Sequence, residues 1–153
     1  MKCAIALATA AVLFSTAPSN AELVVNFTSV TANFNDGNSR NVGWEFTPQA
    51  DIVVNALAFY DAGGDGLAQS HPVAIYDSAH NSVVSAVVPS GTAATLDGLF
   101  RVVSVSSTLL HAGQKYVIDA FIPGNSDGWV WTPSVAGVNI TDLSVNPVIT
   151  LGS

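Results

Sequence analysis

The chain has 153 residues, enough for one domain with a sizeable core. Eleven Asp and Glu face four Lys and Arg, a net charge of −7 that excludes nucleic acid and anionic membrane as natural partners. Only 10% of residues are charged, so the surface must rely on Ser, Thr, Asn and Gly, as in exported β-proteins and in domains that assemble or bind neutral sugars.

The first segment reads as an export leader. Lys2 supplies the positive start, and Ala4 to Phe14, AIALATAAVLF, is an apolar run interrupted only by Thr9. A polar stretch then ends in Ser19-Asn-Ala21, with small residues where a leader is cut. The run is too short to cross a membrane as a helix. The expected organisation is a signal peptide at 1–21 and one β-sandwich domain at 22–153, so that cleavage leaves 132 of the 153 residues. Lys2 leaves with the leader, and three basic residues then face eleven acidic ones, a balance of −8. The one cysteine, Cys3, precedes the apolar run, so it is not a lipoprotein acylation site. The mature domain is expected to hold together without a disulfide and to work without a thiolate. It contains no second apolar run of membrane-spanning length.

Beyond the leader the chain shows short β-rich runs closed by turn residues, and no long run with helical period. ELVVNFTSV (22–30) is the first expected strand. VGWEFT (42–47) alternates and puts Trp44 and Phe46 on one face, towards the core. DIVVNALAFYD (51–61) reads as a central, largely buried strand. Further strands are expected at 72–77, 82–88, 98–106 and 115–122, with WVW (129–131) short and NPVITLG (146–152) closing the chain. About eight or nine strands at this spacing predict an all-β fold, a single antiparallel β-sandwich of jelly-roll or Greek-key type.

Chemistry is scarce, and DAGGDGLAQSH (61–71) is the densest stretch. Asp61, Asp65 and Gly66 fit positions one, five and six of a calcium loop, but Gly63 stands at position three and Pro72 at position twelve, so this is no EF-hand. Two readings stand. Asp61 and Asp65, with loop carbonyls and Gln69 or Ser70, hold a calcium ion. Alternatively, Gly63, Gly64 and Gly66 take positive φ in a tight connection and the aspartates cap their own backbone. His71, His80 and His111 lack metal spacing and read as solvated or strand-edge residues. Trp129 and Trp131 share a face if their segment is a strand, beside polar Asn125, Ser126 and Asp127. They stack a sugar ring or fill the core. Asp119 alternates with Val117 and Phe121 and is expected to be partly buried. Glu22 and Glu45 are the only glutamates, no nucleophile elbow is present, and nothing in the sequence pairs two carboxylates, so an enzyme is not expected. Asn26-Phe-Thr28 and Asn139-Ile-Thr141 match the N-glycosylation pattern.

VGWEFT, FYDAGGDGLAQSHPVAIYD and AGQKYVI, within residues 42–122, carry a resemblance. The chain resembles secreted β-sandwich proteins of bacteria of the PEP-CTERM-associated type, and more loosely a broader set of uncharacterised sandwich domains on exported carbohydrate-active proteins. The resemblance implies export, a cell-surface or matrix location and no established catalytic activity. The chain departs from that pattern at its end, since no Pro-Glu-Pro motif, terminal apolar helix or basic tail precedes Ser153.

These features lead to an exported, non-enzymatic surface or extracellular-matrix protein with a structural or adhesive role. It would self-associate through exposed strand edges, with the stretch 22–34 a segment that a neighbour can receive. The other reading is a carbohydrate-binding module, stabilised by calcium at Asp61 and Asp65, with Trp129 and Trp131 as the sugar platform. The expected partners are therefore a second copy of the chain or an extracellular polysaccharide.

Overall fold

The computed structural model describes residues 10–14, 22–27, 29–30, 35–124, 127–130, 140–141 and 144–152. The chain opens with four short strands, β1 (Ala10–Phe14), β2 (Glu22–Leu23), β3 (Val25–Asn26) and β4 (Ser29–Val30). Longer strands follow: β5 (Arg40–Pro48), β6 (Ile52–Tyr60), β7 (His71–Asp77) and β8 (Ser82–Val88). Then come β9 (Thr95–Asp97), β10 (Phe100–Leu110) and β11 (Tyr116–Ile122). The chain ends on β12 (Ile140–Thr141), β13 (Ser144–Val145) and β14 (Ile149–Leu151).

The fold is all-β, with two antiparallel five-stranded sheets packed as a sandwich. The first runs in the order β2-β1-β6-β10-β9 and the second in the order β14-β5-β11-β7-β8. The chain changes sheet from β5 to β6, returns for the β7–β8 hairpin, crosses again for β9–β10 and comes back at β11. Apolar alternation decides which face goes in. Val42, Trp44 and Phe46 of β5 are buried, as are Ile118 and Ala120 of β11 and His71, Val73 and Ile75 of β7. They meet Leu57 and Phe59 of β6 in one core. The outward residues of the second sheet are thereby set in rows. Register places Glu45, Val117 and Tyr76 side by side, then Gly43, Asp119 and Ala74, then Asn41 and Phe121.

β6 is covered on both faces. Phe59 stacks on His71 of the second sheet, with ring centroids 3.7 Å apart. Its neighbour Tyr60 points the other way, against Phe27 at 5.4 Å, and Phe27 also meets Phe100 at 5.1 Å. Val24, Val25 and Phe27 are buried, so the stretch after Glu22 forms a cover over the first sheet of its own chain. β3 pairs with β13 and β4 with β12 in the same cover. Burying a side chain such as Phe27 contributes roughly 1.5–3 kcal/mol.

Three boundaries differ from the sequence expectation for local reasons. The run 22–30 is broken into short strands, and the Asn26 side chain accepts the Phe27 N–H at 2.8 Å within it. The strand expected at 98–106 continues to Leu110, because a register shift between Ser104 and Thr108 lets β10 keep pairing with β6. The last strand starts at Ile149, since Asn146 accepts the N–H groups of Val148 and Ile149 in a turn. Four strands were not expected, β1, β9, β12 and β13. Ala10–Phe14, within the leader reading, pairs antiparallel with β6 along Ala10↔Phe59 to Phe14↔Val54.

Candidate functional site

The outer face of the second sheet carries a groove of about 510 Å³, within the range of ligand sites. β5 supplies Asn41 and Glu45, β11 supplies Val117 and Asp119, and β7 supplies Tyr76. The turn after β7 closes one side with Ser78 and His80, and Lys115 enters just before β11. That turn is held by Asp77, whose carboxylate accepts the N–H of Ala79 at 2.9 Å and of Asn81 at 2.8 Å. These bonds, those of Asn81 above all, hold the Asp77 carboxyl below its ordinary value. They also let His80 sit at φ 66°, a left-handed conformation unusual for histidine.

The charges in the groove are unevenly matched. Lys115 Nζ lies 2.9 Å from Glu45 Oε1. Asp119, one row away, has no ion-pair partner among the described residues. Burial pushes its carboxyl above the ordinary aspartate value, and a backbone hydrogen bond at Ala120 offsets only part of this. Asp119 and Glu45 are diagonal neighbours across β5 and β11, because Asp119 faces Gly43 and Glu45 faces Val117. The groove thus combines an aromatic ring, an apolar floor at Val117 and several hydrogen-bonding groups. Such a set can hold a polyhydroxylated ring without covalent chemistry.

The DAGGDG loop is a different object. Asp61 is buried, and its Oδ2 takes Arg101 Nε at 2.7 Å and the Gly66 N–H at 3.0 Å. Arg101 is buried too, and its remaining donors reach the carbonyls of Ala94 at 3.2 Å and Gly64 at 2.8 Å. Gly63, Gly64 and Gly66 lie at φ 93°, 70° and 113°, the positive values that the turn reading requires. The two aspartates of the calcium reading thus lie in different surroundings. A cation on Asp61 would sit against the guanidinium, while Asp65 lies exposed.

Among the aromatic and histidine residues, Trp129 takes the core alternative and His71 departs from its expectation. Trp129 is only 4% exposed and has the Arg40 guanidinium over its ring at 4.9 Å, so it offers no face to a sugar. Trp131 lies outside the described residues. Trp44 and Phe46 are core residues, as expected. His80 and His111 are exposed, but His71 is fully buried rather than solvated. Its Nδ1 meets the Phe121 carbonyl at 3.1 Å and its Nε2 meets Asp127 Oδ2 at 2.7 Å. Both ring nitrogens face oxygen atoms. Asp127 also accepts the N–H groups of Ala68 and Gln69 and ties its own loop to the one after Asp61. Burial pushes the Asp127 carboxyl up, but the His71 bond, those two N–H groups and the imidazole charge together hold it below its ordinary value.

Sequence reasoning placed Asp119 and Glu45 on strands and missed the groove between them. The alternation in VGWEFT and KYVIDAFI was the available signal, since it turns both carboxylates outward. What it lacked was the pairing of β5, β11 and β7. No curated protein and no solved structure matches the chain. Residues 26–140 match the family described as "Domain of unknown function (DUF4082)", and with more than half of its length covered the chain belongs to that family.

Proposed function

We propose that the chain is an exported, non-enzymatic adhesion domain that holds an extracellular polysaccharide in the groove of the second sheet. The observation that carries this reading is Tyr76 on β7, beside Val117 of β11 with Glu45 of β5 beyond it, in a groove of ligand size that Asn41 and Asp119 also line. A tyrosine ring receives the apolar face of a sugar, while the surrounding amide and carboxylates take its hydroxyls. Two further features support the non-enzymatic part. Glu45 is engaged by Lys115 and Asp77 by its own turn, which leaves Asp119 without a free carboxylate partner in the groove. The leader-like residues 1–21 and the resemblance to secreted sandwich proteins support export to a surface or matrix. The test is affinity electrophoresis against a panel of soluble polysaccharides. At least one should retard the wild type, and Tyr76→Ala should weaken that retention about tenfold with unfolding unchanged. Equal retention of the variant would sink the groove as the site.

A second reading, self-association, is favoured by β8. Among the described residues this strand, SVVSAVV, pairs only with β7, and it carries neither charge nor proline. Val87 on it is 57% exposed. Antiparallel addition of the same strand from a second copy would join the two second sheets.

A further inference from the structure

We propose that the polysaccharide held in the groove carries free amino groups, and that an ammonium of the sugar sits on Asp119. This rests on the glycan reading and specifies its chemistry.

The argument starts from what stands beside Asp119. Register puts Gly43 on one side and Ala74 on the other, so the carboxylate rises between two residues with almost no side chain. The glycine is fixed by the backbone, since a Cβ at Gly43 would lie 2.2 Å from the Ile118 carbonyl oxygen. Nothing on the flanking strands can therefore reach over to neutralise Asp119 at that level. The cation of the groove, Lys115, is taken by Glu45. The other ionisable groups around it are Tyr76, Asp77, which is tied into its turn, and His80 at the rim. A half-buried carboxylate without a counter-charge is held at a cost, which is why its proton affinity rises. A ligand ammonium removes that cost, whereas a hydroxyl only hydrogen-bonds.

The surroundings favour the same ligand. The chain carries eleven acidic and four basic residues, so its field draws in cationic polymers and repels uronic-acid or sulfated ones. Tyr76 and Val117 lie in the neighbouring row, two residues along the strands from Asp119. A pyranose over that row projects a ring substituent towards the carboxylate. A simple basic peptide would satisfy the charge but would not use the ring platform.

The experiment is calorimetric titration of the full chain with four probes of equal length: a β-1,4-glucosamine hexamer, its N-acetylated form, cellohexaose and hexalysine. The glucosamine hexamer should bind about tenfold tighter than cellohexaose, the usual difference between a charge-assisted and a neutral hydrogen bond. Asp119→Asn should erase that difference between the charged and the neutral sugar. Asn41→Lys, which sets an ammonium diagonal to Asp119 at an exposed position of β5, should erase it as well without touching the carboxylate. Equal affinity for the three sugars, unmoved by Asp119→Asn, would overturn the amino-sugar inference and leave the glycan reading standing. Binding of hexalysine as tightly as the glucosamine hexamer would overturn it in favour of a bare cation site. Binding of no sugar at all would remove both readings together.

Discussion

Asp61, Asp119 and Asp127 are three aspartates with three different fates, and each is tested by substitution. Asp61 lies in a buried pair with Arg101, and removing one partner of such a pair costs about 3–5 kcal/mol. Arg101→Met should therefore lower the thermal midpoint by about 10 °C or more, while added calcium or EDTA leaves the wild-type midpoint where it is. Asp127 is held below the ordinary aspartate value of 3.8, so its contribution to stability is complete above that value and is lost as pH falls through the lower folded one. Urea unfolding between about pH 5 and pH 2 should show a shallower acid decline for Asp127→Asn than for the wild type. Asp119 has the opposite sign. Its value is raised, so the folded state favours the protonated form and stability falls as pH rises through that range. Asp119→Asn should unfold at neutral pH no earlier than the wild type, as expected where a binding residue is kept against stability. The states of Asp61 and Asp127 lay beyond sequence reading because each depends on a distant partner. Arg101 is forty residues from Asp61, and His71 is fifty-six from Asp127.

At the level of elements, local pattern carried most of the information. The alternation in VGWEFT, the buried run at Ile52–Tyr60 and the turn chemistry of DAGGDG each match what formed. Boundaries moved where a side chain or a register shift intervened, as at Asn26 and in β10. Close approach of strands was invisible in the sequence. Gly43 sits where β5 and β11 come so near that a methyl group would strike a backbone oxygen. Gly43→Ala should cost about 2–3 kcal/mol and splay these strands, which chemical denaturation would read. Strand edges carry a further expectation. If copies join through β8, Val87→Lys on its exposed side should shift light scattering towards monomer and leave the unfolding midpoint within experimental scatter. An unchanged mass distribution would reject β8 as the joint.

For the whole molecule, charge and layering decide behaviour. A chain at −7 repels its own copies, so association through an uncharged edge should strengthen as salt rises, the reverse of an ion-pair interface. The two-sheet sandwich was legible from strand spacing. The cover laid over the first sheet by Val24, Val25 and Phe27 was not, because three buried residues in a broken run carry no period of their own. The place of Ala10–Phe14 has a consequence in time. Ile52–Tyr60 is satisfied by β10 on one side and by those five residues on the other, yet the sequence reads them as the heart of an export leader. They cannot lie in a translocation channel and in a sheet at once. If the chain is exported as proposed, finishing its folding in the cytoplasm would lock that segment away. Sandwiches built from distant pairings fold slowly, and under the proposed export that delay would leave the segment accessible for longer.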